Sequence, residues 1–415
     1  MKVFEKWESQ IRGYSRMYPT VFESASNARQ VDEEGRSYID FFAGAGVLNF
    51  GHNNPRMKRA LLEFIEKDGI AHSLDMATTS KRRFLSEFAR LILEPREMDY
   101  KMQFMGPTGT NAVEASLKLA RKVTGRKNIV AFSNGFHGMT LGALACTGNS
   151  YFRQVSGVPL NHVHRLPFET KSGGGVEQIQ NFRCMLSDTS CGIEAPAAFI
   201  VEVIQAEGGV NLASEAWLRE VQAAAHEAGA LFIVDDIQAG CGRTGSYFSF
   251  DGMDIQPDII NLAKGLGGFG TPIAMNLIKP EYDIWSPGEH TGTFRGQGLS
   301  FVAGSEALSY FEGDAFMAEV RTKGQRMRAR LDALNKEIGG SPDRVRGRGM
   351  IQALDVGNGE VAKEITRACF DRGMLLCPCG TGGQVMKLIP PLTIPDEDLE
   401  AGLDIFDEAV KQVMV

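Results

Sequence analysis

Long apolar runs are missing from this chain of 415 residues, and so is any block of like charge. No run approaches the roughly 18 apolar residues that a membrane-spanning helix requires. The N-terminus mixes both charge signs and lacks the apolar core of a secretory leader. Lysine and arginine number 44 against 51 acidic residues, a balance that argues against nucleic acid as a partner. We therefore expect a cytoplasmic protein that binds neither a membrane nor nucleic acid.

Cysteine is sparse, with seven residues in the whole chain. They are Cys146, Cys184, Cys191, Cys241, Cys369, Cys377 and Cys379. In a chain without a secretory leader, we expect them to be reduced thiols that are buried or half-buried. The last two have the wrong spacing for a zinc knuckle, and no second Cys/His pair stands at a matching interval. No metal site is expected.

Internal repeats and low-complexity linkers are also absent, and short β-branched runs alternate instead with helical stretches. The runs expected to form strands are residues 128–132, 198–203, 231–234 and 259–262, and the helical stretches include 114–122 and 215–227. This alternation predicts an α/β fold, in which helices wrap a mostly parallel sheet.

The two ends of the chain have a different pattern. Residues 21–39 suggest a small hairpin around Glu34-Gly35, and after Leu308 helices and short strands alternate less regularly. We therefore predict a large domain at residues 57–308 and a smaller α+β domain formed by both termini, residues 1–56 and 309–415.

Two acid–base residues close neighbouring predicted strands. Asp235 follows Ala-Leu-Phe-Ile-Val, and Lys264 follows Ile-Ile-Asn-Leu-Ala 29 positions further on. A lysine amine can form a Schiff base with pyridoxal 5'-phosphate and later move a proton, while a carboxylate keeps the ring nitrogen protonated. Either residue could also end a strand without any function, and Asp236 is a second candidate for the carboxylate. Together, Lys264 and Asp235 predict the catalytic pair of a pyridoxal-phosphate site.

The segment Gly106-Pro-Thr-Gly-Thr-Asn111 is a glycine-bearing turn before a helical pattern. Free amides at the start of a helix attract anions, so Gly109, Thr110 and Asn111 are candidates to bind the phosphate. An ordinary capped helix would have the same pattern.

Two further pairs follow predicted strands, at the edge where ligands of open sheets bind. Phe136 could stack on a planar ring and His137 could support it. Ile237 could press on the ring, and Gln238 could hydrogen-bond its phenolic oxygen. A loop amide in contact with solvent remains an alternative for Gln238.

From about Asp32 to Ile394, the chain resembles the class III (omega) aminotransferases, pyridoxal-phosphate transferases of fold type I. Among the segments that carry the resemblance are Val-Asp-Asp-Ile-Gln-Ala-Gly-Cys-Gly-Arg-Thr-Gly at 234–245 and Ala-Lys-Gly-Leu-Gly-Gly at 263–268. The resemblance implies an aminotransferase that binds pyridoxal 5'-phosphate. Gly109 and Thr110 would bind the phosphate, Phe136 would stack on the ring, and Asp235 would pair with the pyridinium nitrogen. Gln238 would contact the phenolic oxygen, and Lys264 would form the Schiff base with the aldehyde. It also implies that Thr293 reaches the cofactor phosphate of a neighbouring subunit, and therefore a homodimer or a higher oligomer.

The resemblance extends to the substrate. Glu207 corresponds to a family glutamate that engages or releases a basic residue, although a loop acid without substrate contact stays an alternative. Many relatives have arginine where this chain has Lys387, before Leu-Ile-Pro-Pro-Leu. Because lysine is a point charge without a bidentate fork, it would hold a carboxylate more loosely or in a different arrangement.

Four segments resemble the diaminobutyrate-forming subfamily, especially its ectoine-pathway type: 43–46, 51–55, 106–115 and 288–296. The resemblance implies that glutamate donates its amino group to aspartate 4-semialdehyde, giving L-2,4-diaminobutyrate and 2-oxoglutarate. Gln297-Gly-Leu-Ser departs from the expected sequence, so siderophore or antibiotic supply stays open as the pathway. Acetylornithine, ornithine and 4-aminobutyrate are alternative substrates.

Three rival interpretations remain. Gly265-Leu-Gly267-Gly-Phe-Gly270 satisfies the dinucleotide fingerprint of a dehydrogenase, with Glu289 downstream, but residues 271–278 have the pattern of a strand where the fingerprint needs a helix. An aminomutase, racemase or decarboxylase would use the same cofactor, and a requirement for a keto acceptor would separate transamination from these reactions. A non-catalytic regulator is the third.

Overall fold

The computed structural model describes residues 1–171 and 173–415 and contains a central sheet of seven strands. In spatial order they are Lys101–Phe104, Met275–Ile278, Ile259–Leu262, Leu231–Asp235, Ala198–Val201, Ile129–Phe132 and Val163–Leu166. Met275–Ile278 runs antiparallel to both of its neighbours, whereas the other pairs are parallel. The prediction of an α/β fold with a mostly parallel sheet is therefore confirmed.

Both faces of this sheet are buried, because successive side chains of a strand point to opposite sides. In the strand Leu231–Asp235, Phe232 and Val234 enter one hydrophobic cluster, while Leu231 and Ile233 enter another. Apolar residues at every position thus allow helices to cover both faces, which leaves the strand ends as the places for polar groups.

Helices alternate with strands along the chain. Those of six residues or more are Lys2–Trp7, Pro55–Glu66, Thr79–Phe88, Gly109–Thr124, Leu141–Cys146, Val176–Ser187, Glu215–Glu227, Gly298–Leu308, Ala315–Glu337, Gly359–Asp371 and Asp396–Met414. Gly109–Thr124 matters most for the site. The Thr108 side chain caps its first turn, and Gly125 ends it in a left-handed conformation.

Both ends of the chain contribute to smaller sheets. One contains Phe22–Ser26, Arg29–Asp32, Ser37–Asp40 and Met374–Leu375, and the other contains Val345–Arg348, Ile351–Asp355, Val385–Leu388 and Cys377–Cys379. The expected hairpin is present, since Arg29–Asp32 pairs antiparallel with Ser37–Asp40. A hydrophobic cluster joins Phe41, near the N-terminus, to Leu388 and Phe406, near the C-terminus. The division at residues 56 and 308 stays a prediction.

One expectation about the cysteines is wrong. Cys184 is exposed, because it lies on the outer side of the helix Val176–Ser187, whose Ile179 and Phe182 face the core. The other six are buried or partly buried. Among the described residues, no helix has the length and apolar character of a membrane span.

Candidate active site

A cavity of about 440 Å³ lies at the carboxyl edge of the seven-stranded sheet, where open α/β sheets bind ligands. Nine of the twelve site residues predicted from the sequence line it: Gly109, Thr110, Phe136, His137, Glu207, Asp235, Ile237, Gln238 and Lys264. Asn111, Thr293 and Lys387 do not line it. The structure therefore brings most of the predicted residues together, although they come from positions far apart in the chain.

Lys264 stands two residues after the end of the strand Ile259–Leu262, at the start of a short 3₁₀ turn. Its φ of +49° is a left-handed conformation that residues with a side chain rarely adopt, and such strain is common at functional sites. Burial lowers the pKa of the amine, and the Lys387 ammonium acts in the same direction, against the pull of Glu207. A lowered pKa increases the fraction of neutral amine, which is the nucleophilic form.

The same turn argues against a dehydrogenase. A dinucleotide fingerprint opens a long helix whose N-terminus faces the pyrophosphate. Here the 3₁₀ turn spans Lys264–Gly267 and the strand Met275–Ile278 follows. The glycine cluster at 265–270 therefore lies in the wrong structural context for dinucleotide binding.

Asp235 ends the neighbouring strand, and its carboxylate accepts a hydrogen bond from Nδ1 of His137 at 2.7 Å. Both side chains are almost fully buried. Asp236, the alternative candidate, points away from the cavity and accepts the Ser249 N–H at 3.0 Å. Burial raises the pKa of Asp236 to about 7. Of the two aspartates, Asp235 is the one that lines the cavity.

Glu202 lines the cavity as well, and the sequence interpretation gave it no role. It accepts the backbone N–H of Phe136 at 2.8 Å and thereby fixes the start of the loop that carries His137. Burial raises the pKa of Glu202 to about 7, with Asp235 acting in the same direction. Its position directly after the strand Ala198–Val201 was a usable signal, since the other site residues also follow strands.

The turn before the helix Gly109–Thr124 has the predicted anion-binding form, with Gly109 at the first helical position. A Cβ atom on Gly109 would lie 3.0 Å from the Ile237 side chain, so a larger residue would crowd the cavity wall. The Thr110 hydroxyl lies 2.6 Å from that of Thr140, which itself donates to Glu114. Because the Thr140 hydroxyl donates its proton to Glu114, the Thr110 hydroxyl is the donor in the hydrogen bond between the two threonines.

Asn111 does not point into the cavity, because its amide donates to the Thr108 hydroxyl at 2.9 Å. It supports the turn from within the helix. The groups that remain available to an anion at this place are the backbone amides of the first helical turn.

At the other end of the cavity, three polar side chains form a connected group: Glu207, Gln238 and Lys387. The Lys387 amine donates to Glu207 at 2.5 Å and to the Gln238 carbonyl oxygen at 3.1 Å. The Gln238 amide donates to Glu207 at 3.1 Å and to the Ala45 carbonyl at 2.8 Å. Ala45 belongs to a left-handed turn, with a φ of +58°.

The opposite charges of Glu207 and Lys387 determine the ionisation of this group. Burial alone would raise the pKa of Glu207, but the Lys387 ammonium outweighs it and lowers the pKa to about 2. Burial likewise opposes the charge of Lys387, whose pKa is nevertheless raised by the Glu207 carboxylate. Both groups are therefore ionised near neutral pH. Lys387 itself is almost fully buried behind Glu207, which explains why it does not line the cavity.

Thr293 is exposed on the surface, and its carbonyl oxygen accepts a hydrogen bond from Nε2 of His72 at 2.6 Å. Its neighbour Phe294 is exposed as well. Within a single chain, the residue thus lies outside the cavity that holds Lys264.

The groups around the cavity fit pyridoxal 5'-phosphate. An amine, a buried carboxylate and the amides of a helix N-terminus surround one space, and its volume is typical of sites for small cofactors. Gly109 leaves room beside Ile237 that a side chain would fill.

The chain belongs to the class III aminotransferases, because the model of that family matches residues 11–410. Enzymes of this family use pyridoxal 5'-phosphate, which confirms the predicted class of enzyme and its cofactor. Their substrates are small molecules.

Curated relatives match over nearly their whole length. A diaminobutyrate–2-oxoglutarate transaminase from Halalkalibacterium halodurans is 48% identical over 414 residues, which cover 100% of this chain and 97% of the relative. An enzyme of the same name from Bordetella parapertussis is 49% identical, and the alignment covers 100% of this chain and 96% of the relative. Another from Halomonas elongata is 47% identical, and the alignment covers 99% of each chain.

Solved structures show the same fold. The ornithine aminotransferase of Toxoplasma gondii superposes with a TM-score of 0.85 at 26% identity, covering 99% of this chain and 94% of the other. An S-selective transaminase from an Arthrobacter species superposes with a TM-score of 0.87 at 22% identity, covering 100% and 97%. The prediction of fold type I is thereby confirmed.

Proposed function

We propose that this protein is a diaminobutyrate–2-oxoglutarate transaminase. It would move the amino group of L-glutamate onto L-aspartate 4-semialdehyde, giving L-2,4-diaminobutyrate and 2-oxoglutarate, in the cytoplasm and as a step of ectoine biosynthesis. Its relatives of that name support the proposal. The structural observation that carries it is the ion pair of Glu207 and Lys387 in the same site as Lys264, because this pair offers one charge of each sign.

The two charges match the two amino donors. When glutamate has its α-amino group at Lys264, its distant γ-carboxylate needs a cation, and Lys387 supplies one once Glu207 moves aside. When diaminobutyrate has its 4-amino group at Lys264, its α-ammonium needs an anion, and Glu207 supplies one. A charge-assisted hydrogen bond of either kind contributes about 1.5–3 kcal/mol.

The residues at the cofactor end have separate roles. Pyridoxal 5'-phosphate, when bound, supplies an electron sink that stabilises a carbanion next to the transferred nitrogen. Asp235 would hold the ring nitrogen protonated, and His137 fixes the orientation of this carboxylate. Phe136 and Ile237 would enclose the ring, and Gln238 would serve its phenolic oxygen. The amides of Gly109 and Thr110 would bind the phosphate, helped by Asn111, which holds the turn.

Lys264 performs the proton transfer. Its amine is buried in the cavity wall, and its lowered pKa makes the neutral form accessible at ordinary pH. It can take a proton from the substrate carbon and return it to the carbon that receives the nitrogen. The neighbouring carboxylates of Glu207 and Asp235 stabilise the amine once it carries that proton.

The active unit in this proposal is a homodimer or a higher oligomer. Thr293 is exposed and lies outside the cavity of its own chain, as expected of a residue that serves a neighbouring subunit. In the dimer, its hydroxyl would donate to the cofactor phosphate of the partner.

A half-reaction titration tests the proposed function. Holoenzyme is mixed with L-2,4-diaminobutyrate, ornithine, N-acetylornithine or 4-aminobutyrate in the absence of a keto acid, and loss of the lysine-bound cofactor absorbance is followed. We expect diaminobutyrate to react fastest and 2-oxoglutarate to restore the absorbance. Faster reaction with another amine would contradict the proposed substrate but not the family. Bleaching that only another keto acid reverses would contradict 2-oxoglutarate as the acceptor, whereas isomerisation of the amine without any keto acid would favour an aminomutase.

A further inference from the structure

Thr293 belongs to a compact surface unit made of two chain segments, 71–76 and 293–298. Three backbone contacts join them: Ser73 N–H donates to the Gly296 carbonyl, Gly298 N–H donates to the Ala71 carbonyl, and a Cβ atom on Gly296 would lie 1.8 Å from the Leu74 carbonyl oxygen. The segments are more than 200 residues apart in the chain. Since no side chain fits between Gly296 and Leu74, the two segments pack backbone to backbone at this point.

His72 is the side chain that fixes the Thr293 end of this unit. Its Nε2 lies 2.6 Å from the Thr293 carbonyl oxygen, and because a carbonyl can only accept, Nε2 carries the proton. Its ring also packs edge-on against Phe294, with 5.6 Å between the ring centres. These contacts act on Thr293 and Phe294 themselves, whereas the Arg295 side chain holds the segment further along, through Asp75 and the His290 carbonyl.

Large apolar side chains are exposed on this unit and directly beside it, together with the charged Asp75. Ile70, Leu74, Met76 and Phe294 are 56%, 42%, 60% and 59% exposed. Several large apolar side chains in one exposed area mark an interface with another protein. Next to them, Gly292 lies against Gly106, the first residue of the phosphate turn. A second copy that covers this face would therefore come close to the phosphate end of the cavity.

We propose that His72 is a positioning residue that each subunit provides for the active site of its partner. It holds the Thr293 backbone so that the threonine hydroxyl reaches the cofactor phosphate in the other subunit. This inference rests on the proposed dimer, and it adds a residue that acts through Thr293 rather than on the cofactor itself.

The cofactor itself provides the first test. In His72→Ala, the dissociation constant of pyridoxal 5'-phosphate should rise about five-fold, as expected for the loss of one neutral hydrogen bond. Binding of pyridoxal, which lacks the phosphate, should not change. His72→Gln places an amide N–H near the position of Nε2 and should restore the affinity. A matched control is His162→Ala, an exposed histidine at the amino end of the strand Val163–Leu166, on the opposite edge of the sheet.

Mixed dimers of separately tagged subunits provide the decisive test. When His72→Ala is paired with Lys264→Ala, the site with the intact lysine receives a normal His72 from its partner and should bind the cofactor tightly. When wild type is paired with a subunit that carries both substitutions, the intact site receives the altered residue 72 and should bind it about five-fold more weakly.

The reverse pattern, or equal weakening in both dimers, would overturn the role of His72 across the interface. The same mixed dimers built with Thr293→Ala distinguish the role of His72 from the proposed action of Thr293 across the dimer interface. If Thr293 acts across the interface while His72 has no effect, only the inference about His72 fails. If Thr293 acts within its own subunit, the proposed dimeric site fails as well.

Discussion

Two glutamates that lie five positions apart have opposite electrostatic environments. Burial raises the pKa of Glu202 to about 7, whereas the pKa of Glu207 is lowered to about 2 by Lys387 despite burial. Glu202 belongs to the cofactor end of the cavity, beside Asp235, and Glu207 belongs to the substrate end. The comparison shows that the partner of a buried acid, rather than burial itself, decides whether it carries charge.

The two ends also differ in how they are built. The cofactor end takes Asp235, Glu202 and Lys264 from the ends of strands in one sheet, so their spacing is fixed by backbone hydrogen bonds. The substrate end joins Glu207 to Lys387, which lies on a strand of a different sheet. We therefore expect the cofactor end to be rigid and the substrate end to adapt to two different donors.

The largest effect should come from Lys264, because both ends act on its amine. Lys264→Ala should lower turnover by about 10³-fold or more, since neither end can replace the nucleophile and proton carrier. The protein should remain folded and hold the cofactor more loosely. Single-turnover kinetics with glutamate and with diaminobutyrate measure the loss. Full activity in this variant would remove the catalytic role of Lys264.

The second prediction concerns the cofactor end alone. Asp235→Asn should lower the rate of both half-reactions by about 10²-fold, because the ring nitrogen loses its counter-charge whichever donor is bound. Asp236→Asn is the matched control: it keeps an oxygen that accepts from Ser249 and lies outside the cavity. Its rates should stay within a few-fold of wild type. Similar losses in the two variants would mean that Asp235 has been assigned wrongly.

The third prediction concerns the substrate end, where the effect should depend on the substrate. Lys387→Met should raise the KM for glutamate and 2-oxoglutarate by about 10- to 100-fold, because their distant carboxylate loses its cation. Glu207→Gln should instead weaken the use of diaminobutyrate, whose α-ammonium loses its anion. Half-reaction kinetics with each substrate separate the two effects.

Lys323→Met is the control for loss of a buried lysine as such. Lys323 is also almost fully buried and pairs with Glu319, but it lies on the long helix Ala315–Glu337, away from the cavity. The Lys323→Met variant should lose stability, but its KM values for the two donors should not change differently. Equal effects of Lys387→Met on both donors would contradict the idea of an adaptable substrate end.

The difference between the two ends also explains what the sequence could predict. Asp235 and Lys264 each follow an apolar run, and parallel strands bring such positions to one edge, so the cofactor end was accessible from pattern alone. Glu202 carries the same signal, because it directly follows the strand Ala198–Val201. The contact of Glu207 with Lys387 depends on how two sheets pack, and no local pattern encodes that distance.

The role of His72 is even harder to predict from the sequence. Its bond to Thr293 joins residues 221 positions apart through a surface loop, without the regular spacing of a helix or a strand. The exposure of Cys184 was missed for a related reason, because a cysteine on the outer side of a helix does not differ locally from a buried one. Patterns thus predict strand ends well and contacts between loops poorly.

The smallest expected effect is on stability, and it tests the opening comparison directly. The pKa of Glu202 is raised from an ordinary value of 4.5 to about 7, so between these pH values the native protein holds a proton that the unfolded chain has released. The contribution of Glu202 to the free energy of unfolding should therefore fall as the pH rises through this window, by no more than about 3 kcal/mol. Glu202→Gln should remove the part of the decline that Glu202 contributes and leave the part due to Asp236, whose pKa is also raised to about 7. Urea unfolding of the cofactor-free protein between pH 5 and pH 7.5 would measure the difference.

Glu207 should behave in the opposite way. Its lowered pKa means that its contribution to stability is present above pH 4.5 and is lost as the pH falls from 4.5 towards 2. Glu207→Gln should therefore destabilise the protein at neutral pH, where Lys387 loses its partner, and the difference from wild type should shrink in acid. If both variants altered the free energy of unfolding in the same pH window, the two glutamates would share one environment. The contrast between the rigid cofactor end and the charged substrate end would then be wrong.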